Sequence, residues 1–313
     1  MTFNNLLGSW MNDKQVYVLK SRTYQRYEEI IRTQISPSLG MLDTAEITTG
    51  ILHNFQKKKL TDGNIITGKP LSGNTVKNMM SIVKNAIEYG RELGLAVCDT
   101  STLLAPHFTD KPISVFRKDE QKRIERVVEE SGKANHFGIV LCLYTGLRLG
   151  ELLGLTWDDI DFKNGTIRVN KTSCVMKDSN GTYKIHVDRP KTNSSIRIIP
   201  IPKPLLLKLK AIKKQSKSEF VISTNTGKRV SNRSYQTTYA RLLKRAKVEY
   251  KNFHVTRHTF ATRALECGVD IKTLSELMGH KSPIITMNRY VHSLMETKRE
   301  AMNSLAKSMC FVE

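Results

Sequence analysis

The sequence predicts a two-domain protein, mainly α-helical, with one small antiparallel β-sheet in its second domain. Three observations carry that reading. The 313 residues are enough to bury two cores. Apolar residues recur at helical spacing through most of the chain, and the pattern changes to short β-rich runs between residues 166 and 199. Charge is divided unevenly: residues 1–110 hold 12 basic and 10 acidic side chains, whereas 111–313 hold 38 and 19, so nearly all of the net +21 lies in the second part.

In chain order, RTYQRYEEIIRTQI (22–35) sets Tyr24, Tyr27, Ile31 and Ile35 on one helical face, and PSLG (37–40) is expected to stop that helix. A second helix is expected over 47–60, where Lys57, Lys58 and Lys59 suit the negative end of the helix dipole. Gly73-Asn74-Thr75 opens a third, with Val76, Met79, Met80, Val83 and Ile87 on one face. These apolar sets are core formers, so residues 1–105 read as a small helical bundle. The two prolines of PHFTDKPISVF (106–116) interrupt the pattern, and 106–113 reads as a linker. Residues 114–313 then form the second domain. KDEQKRIERVVEES (118–131) is an amphipathic helix, and NHFGIVLCLYTG (135–146) is apolar enough to be a buried one. TIRVN, KTSCVM, YKIHV and IRIIP are short strands, punctuated by the hairpin signals Asn164-Gly165 and Asn180-Gly181. Helices return at 203–214, 231–247, 254–267, 270–279 and 293–308.

Composition narrows the function classes. A surplus of 21 positive charges favours a polyanionic partner, because neutralising phosphates releases condensed counterions. Five scattered cysteines (98, 142, 174, 267, 310) form no C-x-x-C pair, which suits reduced thiols rather than a disulfide frame or a zinc site. No apolar run reaches transmembrane length and the N-terminus lacks a signal-peptide pattern, so a soluble cytoplasmic protein with no membrane partner is expected. Neither G-x-x-x-x-G-K-[ST] nor G-x-S-x-G occurs. The nearest approach to a carboxylate cluster, Trp157-Asp158-Asp159-Ile160-Asp161, reads as a turn into the hairpin. No metal or other cofactor is expected.

What remains is a set of cations, imidazoles and one tyrosine. TGLRLGELLGL (145–155) places Arg148 after a glycine turn, on a helix anchored by Leu149, Leu152, Leu153 and Leu155. Taken alone, Arg148 reads as the partner of Glu151 three residues on. HVTRH (254–258) puts His254 and Arg257 on one helical face. His254 and His258, four apart, also have the spacing of a helical metal pair, but no third ligand lies near them in sequence. LMGHKS (277–282) displays His280 after a helix-ending glycine, and MNRYVHS (287–293) presents Tyr290 ten residues later. Two arginines can clamp the nonbridging oxygens of a phosphate and stabilise a pentavalent transition state. Imidazoles can move protons, and a tyrosine hydroxyl can attack phosphorus to form a covalent ester that conserves the bond energy.

The stretches TGLRLGELLGLTWDDID (145–161), HVTRHTFATRALECGVDIKTLSELMGH (254–280) and NRYVHS (288–293) resemble the tyrosine recombinases, or phage integrase family, and the likeness runs over almost the whole chain. The resemblance implies a C-shaped DNA clamp: a helical, SAM-like core-binding domain at 1–105, a linker at 106–113, and a catalytic domain with a C-terminal helix at 114–313. It implies a site-specific recombinase that cleaves and rejoins double-stranded DNA at recombination sites. The reaction would run through a 3′-phosphotyrosine and a Holliday junction, without metal or ATP. By position, Arg148 and Arg257 would clamp the phosphate, His254 would assist proton transfer at the nucleophile, His280 would hydrogen-bond the scissile phosphate, and Tyr290 would be the nucleophile. Lys191, in the hairpin match PKTNSSIRIIPIP (190–202), would protonate the 5′-oxygen, with Lys184 and Lys171 as fallbacks. Glu151 would support the arginine, and His258 reads as structural. SLMETKREAMNSLAKSMC (293–310) aligns Leu294, Met302, Leu305 and Met309 on one side of a helix. That face either covers its own domain or docks on a neighbouring protomer in a tetramer on DNA. An excision or DNA-bending factor is a further candidate partner. Many relatives begin with a separate arm-binding domain; this sequence starts almost directly at the core-binding segment, through natural absence or truncation. Integration and excision of a phage or conjugative element is the favoured role. The alternatives are Xer-like resolution of replicon dimers and a catalytically silent DNA-binding relative.

Overall fold

The computed structural model describes residues 1–17, 21–64, 67–106, 113–178, 180–188, 195–290 and positions 299, 302, 303, 305, 306 and 309. The chain divides into two compact units, Met1–Lys111 and Pro112–Glu313.

The first unit contains α1 (Phe3–Tyr17), α2 (Ser21–Ile30), α3 (Ser36–Leu39), α4 (Thr49–Asp62) and α5 (Gly73–Glu92). Thr48 and Ser72 cap α4 and α5, their hydroxyls accepting from the N–H groups of Ile51 and Thr75. Phe3, Leu6 and Leu7 of α1 are buried in one core with Leu52 of α4 and Val83 and Ile87 of α5. Trp10 stacks on Tyr27 at 6.0 Å between centroids. Helix α1 has no counterpart in the periodicity reading, because Asn, Gly and Ser within FNNLLGSWMNDKQVY weaken its local helical signal. Its buried face supplies the missing stability.

The helix passes through Pro37 and stops at Gly40, the last residue of PSLG. Residues Ile31–Ile35 form a π-turn, with the Ser36 N–H donating to the Ile31 carbonyl, and α3 continues to Leu39. The wide turn lets Pro37 sit in the first turn of α3, where a helix needs no N–H donor.

The second unit runs α6 (Lys118–Ser131), α7 (Ala134–Thr145), α8 (Leu149–Gly154), β1 (Ile160–Asp161), β2 (Thr166–Val169), β3 (Thr172–Lys177), β4 (Tyr183–Asp188) and β5 (Arg197–Pro200). It continues with α9 (Lys203–Gln215), α10 (Asn232–Arg245), α11 (His254–Glu266), α12 (Ile271–Met278) and α13 (Pro283–Tyr290). Helix α7 is buried through Phe137, Ile139, Leu141, Cys142 and Leu143, between Ile124 and Val128 of α6 and Tyr235, Tyr239 and Leu242 of α10. Burial on several sides explains why it is apolar without a stripe.

The strands form two sheets among the described residues rather than the single one expected. One has the antiparallel order β1-β2-β5; the other is the β3-β4 hairpin, with Cys174 opposite Val187's neighbour His186. The division occurs because β3 is drawn onto α8. Gly150 and Gly154 open that helix face, and a Cβ on Gly150 would lie 2.8 Å from the Ser173 carbonyl oxygen.

Two helix ends prepare the site. Helix α7 ends at Gly146 with φ 65°, where a Cβ would meet the Phe260 ring at 2.5 Å. Helix α12 ends at Gly279 with φ 62°. No helix among the described residues is long and apolar enough to cross a membrane. The expected helix at 293–310 lies mostly outside the described residues, as do positions 107–112 of the expected linker.

Candidate active site

Arg148 stands at the N-terminal boundary of α8 and is bound twice by Glu151. Its backbone N–H donates to one carboxylate oxygen at 2.9 Å, and its Nη1 donates to the other at 2.7 Å. The ordinary i,i+3 pair read from the sequence therefore exists, but Glu151 is shared. Arg197, on β5, donates from Nη1 and Nη2 to both carboxylate oxygens at 3.0 and 2.8 Å. The Arg197 and Glu151 side chains are each 5% exposed. Burial pushes the Glu151 pKa up, but hydrogen bonds and charge from Arg197, followed by the charge of Arg148, outweigh it and hold the carboxyl at about 2.

Three guanidinium groups meet three consecutive carbonyls at the end of α12. Arg197 Nε donates to Leu277 O at 2.7 Å, Arg257 Nη2 to Met278 O at 2.5 Å, and Arg148 Nη2 to Gly279 O at 3.3 Å. These carbonyls belong to the negative end of the helix and have no partner within it. Arg257 also donates from Nη1 to Gly146 O at 2.7 Å, so one side chain ties the ends of α7 and α12 together. Arg257 is 1% exposed. Burial, then the charge of Arg148, lowers its pKa to about 9, which leaves it cationic at neutral pH. Three guanidinium groups face one carboxylate, an excess that suits a phosphodiester anion.

His280 follows Gly279. Its N–H donates to Ser275 O at 3.0 Å, and its Nδ1 lies 2.7 Å from the hydroxyl of buried Thr286. That contact turns Nε2 to the other side of the ring. Tyr290, at the end of α13, is 2% exposed and packs with Ala261, Leu265, Leu274 and Met278. Its hydroxyl is 2.7 Å from Nδ1 of buried His258. His254, exposed on the same helix, meets the His258 ring edge-on at 4.7 Å between centroids. His258, which reads as structural in the sequence, touches the hydroxyl, and His254, expected to assist proton transfer at the nucleophile, packs on His258. The i,i+4 spacing of the two histidines was the available signal.

Burial raises the Tyr290 pKa, against the pull of Arg257, Arg289 and Arg148. Burial likewise lowers His258 to about 4, reinforced by His254, Arg289 and Arg257, and lowers His280 to about 4, reinforced by Arg257 and Arg148. Both imidazoles are neutral at pH 7.

The structure thus gathers Arg148, Glu151, His254, Arg257, His280 and Tyr290 around the ends of α7 and α12 and the first turns of α11. Lys191 lies outside the described residues. Of the fallback lysines, Lys184 pairs with Asp178 at 2.8 Å, and Lys171 pairs with buried Asp159 at 2.7 Å and donates to Thr156 Oγ1. Asp159 also accepts from the Thr156 N–H, and Asp161 accepts from the N–H groups of Lys163 and Asn164, so these acids close turns. Among the described residues no group of three or more His, Cys, Asp or Glu side chains is arranged to hold a metal ion. Arg197 was missed. Its signal was an arginine at an inward position of an apolar strand, which requires a buried anionic partner.

Residues 114–297 match the model of the phage integrase family, and residues 2–60 match that of a phage integrase N-terminal SAM-like domain. The chain is 29% identical to a XerC-like tyrosine recombinase of Caldanaerobacter subterraneus subsp. tengcongensis, over 97% of this chain and 83% of that protein. It is 27% identical to the ICEBs1 integrase of Bacillus subtilis, over 91% of this chain and 78% of that protein. Among solved structures it resembles the Tn1549 transposon integrase in complex with a circular intermediate DNA, with a TM-score of 0.80 at 23% identity, covering 98% of this chain and all of that one. It also resembles the lambda integrase tetramer bound to a Holliday junction, with a TM-score of 0.69 at 19% identity, covering 93% of this chain and 77% of that one. At these identities the structural likeness shows a common fold.

Proposed function

Because this chain belongs to the phage integrase family, we propose that the cluster at the end of α12 cuts and rejoins DNA strands with Tyr290 as its nucleophile. The protein is a tyrosine-type site-specific recombinase; its action on a mobile element and the roles of individual residues are the proposal. The observation that carries it is the gathering of Arg148, Arg257, His280 and Tyr290 around one helix end, with more cations than anions.

When a phosphodiester enters, Arg148 and Arg257 offer its nonbridging oxygens the N–H groups that their backbone carbonyl and Glu151 partners do not use. Both charges are preorganised, so they stabilise the pentavalent transition state without reorganisation. The Thr286 hydroxyl lies 2.7 Å from His280 Nδ1; with the hydroxyl as donor in this mechanism, the imidazole proton sits on Nε2, where it can bond a phosphate oxygen. The Tyr290 oxygen attacks phosphorus and the 5′-oxygen leaves, protonated by Lys191. The resulting 3′-phosphotyrosine keeps the ester bond energy. Attack by the 5′-hydroxyl of a partner strand reverses the step. Residues 1–105 act as the core-binding domain, 106–113 as the linker and 114–313 as the catalytic domain. The substrates are double-stranded recombination sites of a mobile element, bound by a tetramer that the 293–310 segment links, with an excision or DNA-bending factor as a further partner. The likeness to the XerC-like protein favours a second reading, resolution of replicon dimers.

Nicked suicide duplexes test both readings, one carrying the junction of the element's joined ends and one a dimer-resolution site. The expected result is a 3′-linked adduct that survives denaturant on the first duplex, and none with Tyr290→Phe. Adducts on the second duplex alone would establish the Xer-like role. Tight binding without any adduct would identify a silent DNA-binding relative.

A further inference from the structure

We propose that His258 is a catalytic residue of this site, the base that takes the Tyr290 proton during cleavage and returns it during rejoining. This rests on Tyr290 being the nucleophile. The reacting hydroxyl and His258 Nδ1 are 2.7 Å apart and both side chains are buried. His254, one turn earlier on α11, packs edge-on against the His258 ring at 4.7 Å between centroids.

A base is needed because a phenol with an ordinary pKa of about 10 is ionised to about one part in a thousand at pH 7, and burial shifts Tyr290 further up. His258 is available to accept a proton because it is neutral. Burial keeps it so, reinforced by His254 and Arg257 on α11, Arg289 on α13 and His280 after α12. A bound phosphate adds a negative charge to this cationic set, which raises the proton affinity of His258 at the moment a proton must be taken.

The step balances. As the Tyr290 oxygen–phosphorus bond forms, the phenolic proton passes to His258 Nδ1, the phosphorus–O5′ bond breaks, and the 5′-oxygen takes a proton from a separate donor. In rejoining, the 5′-hydroxyl attacks, the phosphorus–tyrosine bond breaks, and the departing phenolate recovers its proton from the His258 imidazolium. One group serves as base in one direction and acid in the other.

The test is single-turnover cleavage of a suicide duplex by full-length wild type, His258→Gln, His258→Asn and Tyr290→Phe between pH 6 and 9.5. Duplex affinity and Tm are measured alongside. At pH 7, His258→Gln is expected to cleave ~10²- to 10³-fold more slowly with duplex affinity little changed. The deficit should shrink as pH rises, because hydroxide then removes the phenolic proton in place of the imidazole. An equal deficit at every pH, normal cleavage, or faster cleavage would overturn the proposal; the last would mean that His258 restrains Tyr290. His258→Asn supplies the same profile if the glutamine variant does not fold. An adduct formed by Tyr290→Phe would defeat the nucleophile assignment itself, an outcome separate from any result at His258.

Discussion

Arg257 concentrates two duties in one side chain, holding Gly146 O and Met278 O while carrying the charge proposed for the phosphate. A lysine has the charge but not the planar fork. Arg257→Lys is therefore expected to reduce cleavage by ~100-fold or more, read as the single-turnover rate on a suicide duplex. The imidazoles of buried His258 and half-buried His280 make a second prediction at this scale. His258 and His280 stay neutral down to about pH 4, against an ordinary value of 6.5. Between those values the unfolded chain binds more protons than the folded one, so stability is full above about 6.5 and is lost as pH falls toward 4. The urea midpoint should drop between pH 7 and pH 5, and His258→Gln should flatten that dependence. A wild-type midpoint that holds or rises at pH 5 would contradict the buried neutral state.

At the scale of elements, the Arg197–Glu151 pair joins β5 to α8, and Arg197 joins β5 to the end of α12. Arg197→Met leaves Glu151 buried with Arg148 as its remaining guanidinium partner. The expected loss is ~3 kcal/mol in urea unfolding, toward the low end of what breaking a buried pair costs. Cleavage should fall as well, because Arg148 and the turn before His280 lose a common anchor. Gly146→Ala should destabilise by ~1–3 kcal/mol through its left-handed backbone, with the close Phe260 ring adding to the strain. Arg148 and His280 were legible because they follow helix-ending glycines, and Arg257 and Tyr290 because of their spacing within H-x-x-R-H and ten residues after His280. Arg197 was not, because its partner lies 46 residues away and only the strand register brings the two together. The π-turn before Pro37 and the division of the strands into two sheets were hidden for a related reason: both depend on what packs against the segment.

For the whole molecule, the net charge of +21 was readable directly, as was its concentration beyond residue 110. Each phosphate contact releases condensed counterions, so duplex affinity should fall ~10³-fold or more between 50 and 200 mM salt if six or more phosphates are contacted. Affinity nearly independent of salt would argue against a phosphate-tracking surface. The most direct measurement of the central claim is to map the covalent junction. A suicide-duplex adduct would be denatured, digested with nuclease and protease, and sequenced by mass spectrometry. The expected result is a peptide in which Tyr290 carries a 3′-phosphonucleotide. A nucleotide on any other residue, or one attached through its 5′-phosphate, would contradict the assignment of this site.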